Sequence, residues 1–175
     1  MAPTEIFPLV DELGRVIGQA ERREVHKNPN LMHPVVHCLV QNREQQLLLQ
    51  LRSAHKDVQP GRWDTSVGGH VHFGELIEHA LVREIREEIG IEVTPDRLTP
   101  MGRYVMRSSI ETELVHSFWL ASDGPFFPDP SEIDQLRFWS RAEIERQLGT
   151  GVLTPNFEDE YARYLEFLGR GAGQG

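Results

Sequence analysis

The sequence predicts an α/β sandwich in which β-rich segments surround one central helix and two further helices follow near the C-terminus. Apolar segments bounded by turn residues occur before and after residues 75–89, whereas that segment itself has a helical period. The chain has 175 residues, the usual size of one domain. We therefore expect a single domain over residues 1–168 and a flexible Gly-rich tail over residues 169–175.

The predicted strands are rich in β-branched and apolar residues. They span residues 6–10, 16–19, 34–40, 46–51, 65–67, 104–107, 114–120 and 137–139. The first two flank the turn residues 11–14 and are expected to form a hairpin, and the next two flank the polar segment 42–45. Residues 21–30 are polar and irregular, and Gly68-Gly69 is predicted to form a turn.

The helical period is clearest over residues 75–89. Leu81, Ile85 and Ile89 recur every four residues, so they predict one buried stripe. Gly90 follows the stripe and is a typical stop signal. The two C-terminal helices are predicted at residues 141–148 and 156–168.

Composition and charge exclude several classes of function. The 18 Lys+Arg and 27 Asp+Glu give a net charge of −9, which disfavours general binding to nucleic acid. The first residues lack a basic leader, and no apolar stretch reaches the roughly 20 residues that span a bilayer. We therefore expect a soluble, cytoplasmic protein. The single cysteine, Cys38, rules out an internal disulfide, and its apolar neighbours predict a buried position in a strand.

Three carboxylates share one face of the central predicted helix. At about 100° per residue, Glu84, Glu87 and Glu88 fall within a single arc that borders the buried stripe. Like charges four residues apart repel by a few tenths of a kcal/mol, and one guanidinium, Arg83, cannot neutralise all three. Oxygen ligands of this kind suit Mg²⁺ or Mn²⁺. A solvated acidic face is the alternative that the helix alone leaves open.

The residues from Gly69 to Ile91 match a known pattern without a mismatch. The pattern is Gly69, five residues, Glu75, seven residues, Arg83-Glu84, an aliphatic residue, one residue, Glu87-Glu88, one residue, Gly90 and an aliphatic residue. This stretch resembles the Nudix box. The resemblance implies an α/β/α sandwich with a mixed central sheet and a hydrolase that uses Mg²⁺ to cleave a nucleoside diphosphate linked to another group.

The resemblance also implies roles for single residues. It makes the three helix glutamates metal ligands and adds the carbonyl of Gly69 as a further ligand. By the same resemblance Glu75 supports the turn and Arg83 orients the carboxylates. Mg²⁺ is the implied cofactor, with Mn²⁺ as the alternative. The proton acceptor is Glu87, Glu88 or a carboxylate from a loop.

A longer similarity, from about residue 11 to residue 120, links the chain to the type 1 isopentenyl-diphosphate isomerases. Those enzymes build a separate metal site from two histidines seven apart, a histidine after the glycine turn and a Glu-x-Glu pair. The matching residues here are His26, His33, His70, Glu111 and Glu113. The resemblance implies a second metal site that would hold Mn²⁺ or Zn²⁺. Loop histidines without any ligand are the alternative.

One departure decides between the two chemistries. Where the isomerase carries a cysteine for proton transfer, this chain has Gly68, which transfers no proton. Every box carboxylate that hydrolysis needs is present. We therefore predict a Nudix pyrophosphohydrolase that cleaves a nucleoside di- or triphosphate, or a nucleoside diphosphate derivative, by attack of water at phosphorus. An isomerase-like enzyme and a non-catalytic Nudix module that binds a ligand are the alternatives.

Three further residues are candidates for binding substrate. Arg52 and Lys56 could contact its phosphates, and Trp63 could stack on its base. Solvation of the two cations and core packing of the tryptophan are the alternatives. The box does not specify which nucleotide is bound. Nudix proteins often dimerise, so a homodimer through the N-terminal hairpin is a further hypothesis.

Overall fold

A computed structural model describes residues 4–56 and 59–172 of the chain. The strands are β1 (Ile6–Val10), β2 (Val16–Glu21), β3 (Met32–Gln41), β4 (Leu47–Arg52), β5 (Trp63–Asp64), β6 (Val67–His70), β7 (Thr99–Arg107), β8 (Thr112–Ala121) and β9 (Ile133–Trp139). The helices are α1 (Arg22–Val25), α2 (Ile77–Ile89), α3 (Arg141–Gln147) and α4 (Pro155–Ala172), and a 3-10 turn spans Pro95–Arg97. Within the described ranges, no helix is both long and apolar enough to cross a bilayer.

The described strands form one mixed sheet and one separate hairpin. Strands β1 and β2 pair with each other, and the other seven form a sheet in which β3 and β8 are parallel and the remaining pairs are antiparallel. Strand β3 pairs with β6 along residues 35–38 but with β4 only between Gln41 and Leu47. Strands β4 and β6 therefore diverge on the same side of β3, and a gap opens between them.

Helices cover both faces of the sheet, so the predicted sandwich with a mixed central sheet is confirmed. One core cluster joins α2 to the sheet face that carries Val36, Cys38 and Leu48. A second cluster joins α3 and α4 to the opposite face through residues such as Leu39 and Leu49. Because successive side chains of a strand point to opposite faces, β3 and β4 supply both clusters.

Helix α2 forms as its sequence pattern predicts. Leu81, Ile85 and Ile89 are fully buried against the sheet. The helix begins at Ile77, two residues later than the predicted start at residue 75. It ends where Gly90 adopts a left-handed conformation with φ of 69°, which costs glycine little because it has no Cβ.

Several predictions differ from the structure in detail. Gly68 and Gly69 do not form a turn but lie inside β6, because their backbone groups pair with β3. The segment predicted as irregular contains the one-turn helix α1, which a capping box stabilises. Strands β7, β8 and β9 are all longer than predicted, and residues 65 and 66 of the strand predicted at residues 65–67 lie between β5 and β6 instead. Helix α4 continues to Ala172, four residues into the segment predicted as a tail, and residues 173–175 lie outside the described residues.

Candidate active site and histidine cluster

The acidic side chains of α2 lie against strand β6. A Cβ added to Gly69 would lie 2.1 Å from Cδ of Glu84, so the glutamate packs directly on the glycine backbone. Only glycine allows this approach at ordinary contact distances. Burial raises the pKa of Glu84 above its usual value, although Arg83 opposes that shift. The helix and the strand together therefore hold this carboxylate beside the backbone of Gly69.

Glu88 reaches the gap between β4 and β6. Its Oε2 accepts a hydrogen bond from the backbone N–H of Gly68 and another from Nε2 of Gln50, each 3.2 Å long. Burial, helped by the charge of Glu84, raises the pKa of Glu88 to about 8. A nearby cation would stabilise the ionised form of this carboxyl group.

Arg83 ties the helix to β6 and to the loop before the helix. Its Nε and NH2 donate to the two oxygens of Glu75 at 2.9 and 3.0 Å, and its NH1 donates to Glu84 at 2.6 Å. NH2 also donates to the backbone carbonyl of His70 at 2.8 Å. Glu75 in turn accepts the backbone N–H of His72 at 3.0 Å. Although burial opposes it, these hydrogen bonds lower the pKa of Glu75 below its usual value.

Glu87 occupies a different position from its two neighbours. Its side chain is 54% exposed, and its oxygen lies 3.4 Å from NH1 of Arg83. Among the described residues, two groups of three side chains place ligand atoms within 4.8 Å of one another: three histidines in one, and His33 with two other glutamates in the second, but not the helix glutamates. Glu84 and Glu88 therefore lie against β6, each with its own N–H donors, and Glu87 lies at the solvent-exposed rim of the site.

The five residues proposed for a second metal site meet at one end of the sheet. His33 and Glu113 are neighbours in the β3–β8 register, and their Nε2 and Oε1 atoms lie 3.9 Å apart. Nε2 of His26 lies 3.0 Å from Nε2 of His70 and 3.8 Å from an oxygen of Glu111. The structure thus brings together residues that are spread over 88 positions of sequence, from 26 to 113.

The imidazoles of this histidine cluster are held in the neutral form that can ligate a metal ion. Burial lowers the pKa of His33 to about 4 and also lowers the pKa of His26 and of His70. Burial raises the pKa of Glu113 to about 7. Neutral imidazoles are the form that binds metals. Both ring nitrogens of His33 and Oε2 of Glu111 are buried without a hydrogen-bond partner, as expected of atoms that could coordinate a metal ion.

The N-terminal hairpin closes the cluster from one side. Phe7 of β1 is fully buried, and its ring stacks on His70 with centroids 4.6 Å apart and on His33 with centroids 5.9 Å apart. The apolar ring restrains both imidazoles and excludes water from them. The hairpin predicted from turn residues is therefore part of the site as well as of the fold.

The three candidate substrate-binding residues have partners in the protein. NH1 of Arg52 lies 3.2 Å from Asp64, and Lys56 pairs with Glu132. Trp63 packs edge-on against Trp139 with centroids 5.2 Å apart and contributes to the second core cluster. Packing in the core is therefore the better account of Trp63, whereas the two cations remain candidates at the edge of the site.

The residue that sequence reasoning missed is Gln50. It interrupts the apolar run Leu47–Leu51 and faces α2, where its side chain is only 8% exposed. The available signal was a polar residue flanked by leucines on both sides, because a buried amide requires hydrogen-bond partners. Its contact with Glu88 spans 38 positions and could not be deduced from local spacing.

Comparisons with known proteins identify the family and the fold. The family model for the NUDIX domain matches residues 31–158. An uncharacterized Nudix hydrolase of Clostridium acetobutylicum is 36% identical over 93% of this chain and 74% of its own length. An isopentenyl-diphosphate delta-isomerase of Nocardia farcinica is 31% identical over 93% of this chain and 98% of its own. A crystal structure of a Deinococcus radiodurans protein superimposes with a TM-score of 0.77 at 27% identity, covering 91% of this chain and 98% of that one.

The mixed sheet between helices, with its acidic helix packed on a glycine-containing strand, is an α/β sandwich fold that this chain shares with the Deinococcus radiodurans protein. The chain belongs to the Nudix family. The predicted resemblance to the Nudix family and the prediction of a Nudix hydrolase are thus confirmed at the level of the family.

Proposed function

We propose that the protein hydrolyses a phosphoanhydride bond of a nucleoside diphosphate derivative or of a nucleoside di- or triphosphate, with Mg²⁺ or Mn²⁺ as cofactor. The observation that supports this most strongly is the packing of Glu84 and Glu88 on the backbone of Gly68 and Gly69. It presents two carboxylates, whose oxygens are the hard ligands that these ions prefer. Glu87 at the rim would supply a third carboxylate.

When bound, the metal would neutralise charge on the phosphates and lower the pKa of a bound water. The other steps rest on the side chains of the chain itself. Arg83 fixes the orientation of Glu84 through a hydrogen bond of 2.6 Å and is itself held by both oxygens of Glu75. This arrangement keeps the ligand carboxylate in place before substrate arrives, so little reorganisation is needed.

A proton acceptor must be able to reach water at the mouth of the site. Two carboxylates meet this requirement: Glu87 is 54% exposed and Glu132 is 47% exposed. The charge of Glu132 contributes to the raised pKa of Glu88, so the two groups lie within electrostatic reach. Glu88 itself has two N–H donors on one oxygen, which suits a metal ligand that must stay fixed.

We also propose that the histidine cluster holds a second ion, Mn²⁺ or Zn²⁺. Three imidazoles and two carboxylates form a donor set that suits either metal. The orphaned nitrogens of His33 and the lowered pKa values of the imidazoles support this assignment. The cluster lies on the sheet face opposite Glu84, since His70 and Gly69 are consecutive residues of one strand.

Hydrolysis is preferred to isomerisation because of Gly68. This residue stands where the resemblance expects the cysteine that transfers a proton, and its backbone lies beside the imidazole of His37, which a Cβ would approach to 3.3 Å. The single thiol of the chain, Cys38, is fully buried, and burial raises its pKa far above the usual value. A non-catalytic module would not need the full set of box carboxylates.

The experiment is a product assay over a panel of nucleotides with Mg²⁺ or Mn²⁺. Release of a mononucleotide from a nucleoside diphosphate sugar would define one reaction class, and release of orthophosphate from a nucleoside diphosphate would define another. Glu88→Gln is the matched variant, since it keeps the size of the side chain and removes its charge. Interconversion of isopentenyl and dimethylallyl diphosphate without any nucleotide hydrolysis would overturn the proposal in favour of the isomerase, and ligand binding without turnover would favour the non-catalytic module.

A homodimer through the hairpin remains a proposal. Leu13, Val16 and Ile17 are 61–70% exposed there and offer apolar surface. Light scattering of the purified protein, compared with that of a Val16→Lys variant, would test it. A monomeric mass for the unaltered chain would refute it.

A further inference from the structure

The gap between β4 and β6 is the feature from which a new role follows. Strand β3 pairs with β6 as far as Cys38 and then with β4 at Gln41, so the two strands separate where Glu88 approaches. Ser66 bridges part of this gap, because its hydroxyl accepts the N–H of Val40 and donates to the carbonyl of Leu48. The rest of the gap is spanned by the side chain of Gln50.

Gln50 uses its amide group to connect three elements. Its Nε2 donates to the carbonyl of Ser66 at 3.2 Å and to Oε2 of Glu88 at 3.2 Å. An amide nitrogen has two hydrogens, so these bonds use both of them. With Ser66 fixing one hydrogen, the other can point in only one direction, toward the carboxylate of Glu88.

The hydrogen bond from Gln50 helps to fix the orientation of the Glu88 carboxylate. Gln50 and the backbone N–H of Gly68 both bind Oε2 of Glu88. Two donors on one oxygen define the plane of the carboxylate and leave Oε1 for another ligand. A leucine at position 50 would satisfy the apolar pattern of β4 but would give Glu88 one donor in place of two.

We propose that Gln50 is a positioning residue for the proposed hydrolysis: it orients the Glu88 carboxylate so that its free oxygen binds the metal of the acidic helix. This inference rests on the proposed function. Groups that hold metal ligands in place typically contribute about 10- to 100-fold to metal affinity or activity. Gln50 therefore acts through Glu88 and does not contact the substrate.

The test compares Gln50→Met with Leu48→Met. Both substitutions introduce the same flexible apolar side chain on the same face of β4, but the side chain of Leu48 belongs to the first core cluster and donates no hydrogen bond to Glu88. Mn²⁺ binding without substrate is counted by electron paramagnetic resonance, and the class of sites that disappears in Glu88→Gln defines the helix site. We expect Gln50→Met to weaken this class about tenfold or more and Leu48→Met to leave it within twofold.

Steady-state kinetics with the best nucleotide of the panel provide the second readout. We expect Gln50→Met to lower kcat about tenfold or more and to leave KM for the nucleotide within twofold. Thermal unfolding of each variant shows whether the fold is retained, and Gln50→Leu serves as a second variant if the methionine variant does not fold. The inference is overturned if Mn²⁺ affinity and kcat match those of Leu48→Met, or if KM rises while kcat is unchanged, since that result would mean direct contact with substrate.

The two readouts separate the inference from the proposed function. If the unaltered protein hydrolyses no nucleotide but Gln50→Met still weakens the helix class of Mn²⁺ sites, the proposed function fails and the positioning role stands. If hydrolysis is robust and the variant binds Mn²⁺ normally, the positioning role fails alone.

Discussion

Replacing Gly69 with alanine is the perturbation whose effect the structure defines best. The new Cβ would lie 2.1 Å from Cδ and 2.4 Å from Oε1 of Glu84, whereas ordinary contacts begin near 3.4 Å. The strand cannot yield easily, because Gly69 is paired with Val36 inside the sheet. The end of the glutamate side chain must therefore move by about 1 Å or more.

This movement should slow catalysis strongly while leaving the fold largely intact. The displaced carboxylate loses its hydrogen bond of 2.6 Å to Arg83 and its packing on the backbone of Gly69. A misplacement of about 1 Å in a catalytic group can cost on the order of 100-fold in rate, which corresponds to about 2.7 kcal/mol of activation free energy. Because a side-chain end moves and no core residue is lost, we expect the free energy of unfolding to change by only about 1 kcal/mol.

The assay is the Mg²⁺-dependent release of product from the best nucleotide, together with urea unfolding. Gly18→Ala is the control, since its Cβ would lie 3.7 Å from the nearest atom, a side-chain carbon of Leu9. We expect the control to keep its activity within twofold. Activity of Gly69→Ala within threefold of the unaltered protein would refute the reasoning, because Glu84 would then not need its observed position.

Three further predictions concern the histidines and the cations. Although burial opposes it, the charge of Glu160 raises the pKa of the buried His37 to about 9. Its contribution to stability is therefore complete below about pH 6.5 and is lost as the pH rises through 9. In urea unfolding, His37→Gln should cost about 3 kcal/mol at pH 6 and progressively less toward pH 9.5, and an equal cost at both pH values would contradict this assignment. Zn²⁺ at about 100 times its Kd should raise the Tm of the unaltered protein by about 5–10 °C. His33→Ala should remove this rise in Tm, and His79→Ala, at an exposed position, should keep it. An equal rise in both variants would exclude the histidine cluster as the zinc site. Finally, Arg52→Ala should raise KM for the nucleotide about tenfold with kcat nearly unchanged, and an unchanged KM would remove Arg52 from the site.

The central helix could be predicted from the sequence because its information is local. The buried stripe, the stop at Gly90 and the acidic arc all depend on residues three or four positions apart, and α2 forms as they indicate. The helical spacing of about 100° per residue also places Glu84 and Glu88 closer to the buried stripe than Glu87, and Glu87 is indeed the most exposed of the three. The spacing of the box identified the same residues through family resemblance.

Features that depend on distant pairing were harder to predict. Gly68 and Gly69 were expected in a turn because glycine pairs are typical of turns, but their partner residues in β3 are 31 and 33 positions away. The buried pair of His37 and Glu160 spans 123 positions, and no local pattern indicates it. Gln50 was missed for the same reason, since its partner belongs to another element.

The histidine cluster was predictable only in part. Spacing alone would not have distinguished its members from the other histidines of the chain, and the resemblance to the isomerases supplied the set. The structure adds what the resemblance could not: the burial of His33, the stacking of Phe7 and the short distance between the rings of His26 and His70.

Crystals of the protein soaked in Mn²⁺ offer the most direct measurement, because anomalous scattering locates the ion without reference to any substrate. The account predicts a peak beside Glu84 and Glu88 and the carbonyl of Gly69. Density confined to the histidines, with the helix carboxylates still bound only to Arg83, Gln50 and the strand amide, would contradict it.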